Sequence, residues 1–242
     1  MTPDLPVTID GELGADLASC ALALARRFAA RGTMWCLAPA WPEHARHVAV
    51  EFVHPVIVGK RALPAVSVDG PDPVASLRSL TRPGDVLLVV GTADDAAAAG
   101  ATRRAPAWGL TSVWIGFGPR PPAGAADHVL WLPGGDGDGA AAHDGRLVLL
   151  YHVLWELAHV CFEHPGLLEP PTVDCGDDVC VTCSDEGRLG EVVTTEATEA
   201  IIRTARGAET IDTSVVGPLH PGDLVLVHAG SAIALVEEGS PR

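Results

Sequence analysis

The chain has 242 residues, 48% of them apolar, and a formal net charge of −15. That length allows one large domain or two small ones, with ample apolar material for a core. The charge excludes nucleic-acid binding, which needs a clustered basic surface, and no apolar run reaches the ~18 residues of a membrane span. It favours solubility and basic partners. The N-terminus, Met1 to Pro6, has neither the basic nor the apolar region of a signal peptide, so a cytoplasmic location with reduced thiols is expected. The six cysteines fall in three loose sites and make no disulfide framework.

In chain order, Leu13, Leu17, Cys20, Leu24 and Phe28 recur at helical spacing, which predicts a helix from Glu12 to Ala30 that stops near Gly32. Thr33 to Leu37 reads as a short buried strand. Pro42 suits the first turn of a helix reaching about Phe52. Leu63 to Val68 reads as a strand. Pro83-Gly84-Asp85 turns into Val86 to Val90, an unbroken apolar run of the kind that forms a parallel strand buried on both faces. A helix starts in Asp94 to Ala99, and Ser112 to Gly116 and His128 to Leu132 are further strands. Gly134 to Gly139 is a Gly/Asp loop. Arg146 to Phe162 is the strongest helix, and His164-Pro165-Gly166 ends it. Strands alternating with helices predict an α/β domain with a parallel sheet.

Two helices carry polar stripes. His44, His47, Glu51 and His54 share one face of the second helix. His152, Glu156, His159 and Glu163 share one face of the last. A His and a carboxylate at i and i+4 can share a divalent metal. The plainer reading is two solvated faces.

Three segments, His47 to Phe52, Leu63 to Val68 and Gly84 to Val90, resemble the sugar isomerase (SIS) family, closest to its phosphoheptose isomerase branch. The resemblance spans most of residues 10–165. It implies a three-layer α/β domain with a flavodoxin-like parallel sheet and a homo-oligomer. It also implies active-site roles for His47, Glu51 and His152, with a metal in several members, and places the family's late glutamine near Asp144. The phosphate loops depart from the family. Leu37 to Trp41, with Ala38 and Trp41, replaces a glycine-rich loop whose amides approach phosphate. Gly91 to Ala96, with Thr92, Asp94 and Asp95, replaces hydroxyl donors with two carboxylates that repel phosphate.

After Pro170-Pro171 the character changes, and the boundaries follow: an α/β domain over 1–168, a linker over 169–173 and a β domain over 174–242. Three of the six cysteines, Cys175, Cys180 and Cys183, fall within nine residues at its start. They could hold zinc with His228 or a carboxylate as fourth ligand, act as redox thiols, or lend a soft thiolate to a transiently carried ion. They could also be incidental loop residues. Gly190 to Thr195, Glu199 to Arg206, Glu209 to Val215 and Leu224 to His228 read as strands between turns, and Ala232 to Val236 leads to the tail. Short strands at roughly ten-residue spacing predict a small β-barrel.

Pro221-Gly222-Asp223 through His228-Ala229-Gly230 to Ile233 resembles the signature of the HypC/HupF family of hydrogenase maturation chaperones, over about residues 174–240. That resemblance implies an OB-like barrel and a functional Cys–His pair. His228 is the His, and Cys180 or Cys175 is the Cys. The pair would carry an iron-cyano-carbonyl unit with a HypD-type protein and deliver it to a [NiFe] hydrogenase large subunit. The extra Cys183 points to a variant or zinc-bound form. The combined expectation is an assembly protein with iron as transient cargo and zinc as a further candidate, no nucleic acid or membrane partner, and an SIS-like domain for oligomerisation or ligand binding. The alternative is a metal-dependent sugar-phosphate isomerase-like enzyme with a regulatory barrel.

Overall fold

The structure, a computed structural model, describes residues 9–132, 145–169 and 187–236. The first part contains α1 (Gly11–Ala29), β1 (Met34–Leu37), α2 (Pro42–Val53), β2 (Ala65–Val68), α3 (Pro73–Leu80), β3 (Val86–Val90), α4 (Ala96–Arg104), β4 (Thr111–Phe117), β5 (His128–Leu132) and α5 (Arg146–Glu163). The five strands form one parallel sheet in the order β2-β1-β3-β4-β5, the flavodoxin-like arrangement. All five residues of β3 are buried. Val86, Leu88 and Val90 face a core shared with α1, α2 and α5. Leu87 and Val89 face the opposite core, with Leu77 of α3, Ala98 and Ala101 of α4, and Trp108. The alternation is the period-two pleat of a strand covered on both faces, and it makes this domain three-layered.

The second part folds as a closed five-stranded barrel from β6 (Arg188–Glu196), β7 (Glu199–Thr204), β8 (Gly207–Asp212), β9 (Leu224–His228) and β10 (Ser231–Leu235), in the order β10-β8-β7-β6-β9. Val192, Ala200, Ile202, Ile211, Leu219, Val225, Val227 and Ala232 fill its interior. A parallel bridge between Ser231 and Asp212 closes it. Closure leaves no open sheet edge, which matters for a unit this small.

The barrel is docked on the α3/α4 layer, where Leu224 joins the core around Leu87 and Trp108. At the centre is Glu191, only 1% exposed. Its Oε1 accepts from Arg78 Nε at 3.0 Å and Nη2 at 2.8 Å and from Arg104 Nε at 3.2 Å, and its Oε2 accepts from Trp108 Nε1 at 2.6 Å. Arg203 of the barrel donates back to the backbone carbonyls of Arg78 and Thr81, the latter at 2.8 Å, and lies 5.5 Å from the centre of the Trp108 ring. At Gly109 (φ +73°) a Cβ would fall 2.9 Å from Pro83 Cβ and 3.2 Å from Ala205 Cα, so the backbones there approach more closely than a side chain permits.

Most elements match the sequence expectations, with ends shifted by one or two residues. Two differ more. α3 was not foreseen: Asp72 caps it by accepting from Ala75 N at 2.9 Å, and Pro73 opens it, but eight residues with only Leu77 buried give too little periodicity to see. Ala232 to Val236 is not a plain tail, because Ser231–Leu235 is the strand that closes the barrel. The expected strand over Glu209 to Val215 ends at Asp212, where the Asp212 side chain accepts from Ser214 N and Oγ and turns the chain. The Gly134–Gly139 loop, the 169–173 linker beyond Glu169 and the cysteine stretch lie outside the described residues.

Replacing Glu191 with Ala leaves two arginines and an indole N–H without their acceptor. Because Arg78 and Arg104 keep some solvent contact, the expected loss is about 2–3 kcal/mol rather than the full cost of a deeply buried pair. Calorimetry should show a lower melting temperature and a barrel transition separated from that of the α/β domain.

Candidate metal centre

The side chains of interest come from α2 and α5, which pack on the same face of the sheet. Pro42 starts α2, and Val48 and Phe52 are buried toward the core. That fixes the helix rotation and turns His47 and Glu51, one helical turn apart, toward α5. On α5, Leu147, Leu150 and Leu154 are buried, which presents Tyr151 and His152 to α2.

His47 Nε2 lies 3.3 Å from His152 Nε2 and 3.3 Å from Glu51 Oε1, and His152 Nε2 lies 3.5 Å from Glu51 Oε1. The three atoms form a nearly equilateral triangle. Around a tetrahedral ion with bonds of ~2.0–2.1 Å, neighbouring ligand atoms sit ~3.3–3.4 Å apart; around an octahedral one, ~2.9 Å. The triangle therefore fits one face of a tetrahedral zinc site better than an octahedral one, although two imidazoles and a carboxylate are also a donor set for ferrous iron. The side chains of His47 and His152 are each 40% exposed, so solvent and small molecules reach the cluster. Among the described residues this is the group of three His, Cys, Asp or Glu side chains that could hold a metal.

Tyr151 supports it from below. Its hydroxyl is 2.9 Å from His47 Nδ1 and 3.4 Å from His44 Nδ1. Burial, and secondarily the Glu51 carboxylate, push its pKa above the ordinary phenol value, so it stays a neutral hydroxyl. His44 is only 6% exposed.

The two polar stripes do not behave as uniform faces. His54 is the exposed C-cap residue of α2, and Glu156 is exposed. His159 is buried, with Nδ1 2.9 Å from the Trp155 carbonyl and Nε2 3.0 Å from the Arg61 carbonyl, so it ties α5 to the loop before β2. Glu163 pairs with Lys60 at 2.5 Å. Only the middle of the α2 stripe and the first residue of the α5 stripe reach the cluster. The solvated-face reading fails for His44 and His159, which are buried.

The segments expected to depart from phosphate loops, Leu37 to Trp41 and Gly91 to Ala96, lie at the C-terminal ends of β1 and β3. A cleft of about 450 Å³, lined by Thr92, Ala93, Asp94, Phe117, Gly118 and Pro119, opens at the C-terminal ends of β3 and β4. Trp41 stacks on Phe117 at 5.4 Å between ring centres, and Ala38 is buried. Asp95 caps α4: its Oδ1 accepts from Ala97 N and from Ala98 N, each at 3.0 Å. Those N–H groups are the ones a helix N-terminus offers to a bound anion. Trp41 also meets His44 edge-on at 6.4 Å, so the cleft and the cluster share one wall of aromatic rings.

In the barrel, His228 ends β9 and pairs with Ser231 of β10. Ala229 (φ +48°) and Gly230 (φ +78°) between them form a two-residue turn with both φ angles positive, the type I′ pattern. The other end of the same motif has a different task. Gly222 accepts at its carbonyl from Arg104 Nη2 at 3.4 Å, and Asp223 accepts at its carbonyl from Val192 N at 2.8 Å. Cys175, Cys180, Cys183 and Asp144 lie outside the described residues. The described cysteines, Cys20, Cys36 and Cys161, are buried, and burial raises each thiol's pKa, which suits packing rather than chemistry.

No family model and no curated protein matches the chain. Solved structures do. A phosphoheptose isomerase from Francisella tularensis aligns over 62% of this chain and 88% of its own, with a TM-score of 0.53 and 17% identity. One from Neisseria gonorrhoeae aligns over 61% and 85%, with a TM-score of 0.48 and 17% identity. The α/β domain has an SIS-like fold. At that identity the likeness is one of architecture. Sequence reasoning named His47, Glu51 and His152 but missed Tyr151 and the capping role of Asp95. The second had a signal, since an Asp directly before an Ala-rich helical run is an N-cap pattern. The first had a weaker one: it is the chain's single tyrosine, next to a singled-out histidine.

Titration of the metal-free protein with zinc should give one site per chain. His47→Ala or His152→Ala should abolish it, and Glu51→Gln should weaken it at least tenfold, as isothermal calorimetry would read.

Proposed function

We propose that this chain is an assembly protein for a [NiFe] hydrogenase metal centre, built on an SIS-like domain that holds a divalent ion but no longer takes a sugar phosphate. The observation that carries this reading is the division of labour within the structure. The anion end of α4 is occupied by the chain's own Asp95. The Pro221–Ile233 motif, in contrast, is folded as part of a closed barrel, with His228 at the end of β9. The cysteine stretch runs directly into the first barrel strand in sequence. In this reading Cys180 or Cys175, with His228, holds the iron-cyano-carbonyl unit in transit, and Cys183 is an additional thiolate. A thiolate binds low-spin iron, and an imidazole completes or steadies the site. The partners are a HypD-type maturation protein and the hydrogenase large subunit, and the SIS-like domain supplies self-association or a ligand site.

A second reading, a metal-dependent isomerase-like enzyme regulated by its barrel, is favoured by the His47–Glu51–His152 triangle and by the fold likeness to phosphoheptose isomerases. The solved structures speak for this side; the hydrogenase reading stands on the motif and the barrel. An ion held by the triangle would polarise a substrate carbonyl or hydroxyl oxygen.

Co-expression with the maturation partners, anaerobic purification and infrared spectroscopy decide between the two. Cyanide and carbonyl stretching bands, with iron, that disappear in Cys180→Ala or Cys175→Ala and in His228→Ala are the expected result. Absence of iron and bands, together with a thermal shift on adding sedoheptulose 7-phosphate, would transfer the function to the first domain.

A further inference from the structure

We propose that Tyr151 is a positioning residue that holds His47 in the one tautomer and ring orientation able to bind a metal, through a chain His47–Tyr151–His44. This rests on the metal reading of the His47–Glu51–His152 triangle.

The geometry assigns the direction of the chain. The atom His47 contributes to the triangle is Nε2. A neutral imidazole that binds a metal through Nε2 keeps its proton on Nδ1 and needs an acceptor for it. Tyr151 Oη lies 2.9 Å from that Nδ1 and can accept. The hydroxyl proton then points elsewhere, and His44 Nδ1 is 3.4 Å away. His44 thus accepts at Nδ1 and carries its proton on Nε2. Each link fixes the next, so a single arrangement of protons leaves the His47 Nε2 lone pair aimed into the triangle.

Packing holds the links in place. Tyr151 is 1% and His44 6% exposed. The Tyr151 ring meets those of His47, His44 and His152 edge-on at 5.3, 6.0 and 5.5 Å between centres. Trp41 closes the far side of His44 and stacks on Phe117 at the cleft. A side chain that only filled space would need no hydroxyl between two imidazoles, and phenylalanine would serve as well.

The test is zinc calorimetry and cobalt(II) absorption on the full-length wild type, Tyr151→Phe and His152→Ala. Tyr151→Phe should keep one site per chain, bind zinc about 10- to 100-fold more weakly, and shift the ligand-field bands of bound cobalt, while the melting temperature of the metal-free protein stays close to wild type. Wild-type affinity and an unchanged cobalt spectrum in folded Tyr151→Phe would overturn the proposal while leaving the metal site standing. No stoichiometric metal in the wild type would overturn the metal reading itself, and with it this one. Should Tyr151→Phe fail to fold, His44→Leu removes the acceptor at the end of the chain. It should weaken zinc binding about threefold or more, and unchanged affinity there would overturn the proposal equally.

Discussion

A carboxylate removed from water is tolerated only where its charge and its lone pairs are met, and Glu191 is met from the other domain. The barrel provides the anion; α3, α4 and the Trp108 loop provide two guanidinium groups and an indole N–H. Separating the two halves would expose an apolar surface around Leu224 and Trp108 as well as break the charge contacts. The barrel is therefore held in one pose against the sheet's α3/α4 side. The metal cluster lies on the opposite side, between α2 and α5. The sheet separates them.

The histidines divide by environment more than by position in a stripe. His159 spends both ring nitrogens on backbone carbonyls and acts as a cross-link. His44 is packed behind Tyr151. His47 and His152 keep one nitrogen each near solvent and near a carboxylate. The same residue type, repeated at helical spacing, thus becomes a cross-link, a support or a ligand according to how far the helix rotation carries it from the core.

Much of this was readable in the sequence because strong periodicity and special residues carry local information. The run Val86 to Val90 could be little other than a central strand, and Leu224 to His228 was legible as a strand, though not the tight turn that follows it. The spacing of His47 and Glu51 put them on one helix face. What could not be read depends on contacts between segments distant in the chain. Glu191 looks like an ordinary polar residue of a β-strand until Arg78 and Arg104 are beside it. Tyr151 lies in an apolar helix where an aromatic reads as core. His159 and His152 share a stripe, and only the tertiary packing shows that one is buried and the other is not. α3 is too short and too weakly amphipathic to register.

The cap on α4 has a thermodynamic meaning for whatever enters the adjacent cleft. Asp95 is covalently attached two and three residues before the N–H groups it satisfies, so it confronts them at an effective concentration that a dissolved anion does not reach. The residue behaves as a tethered competitive ligand, always present and never diluted. A free anion would have to displace it, expose a second carboxylate to like-charge repulsion from Asp94, and still find donors of its own. Each anion that approaches this helix start therefore meets a carboxylate already in place, and the donors a helix end usually leaves open are here part of the fold.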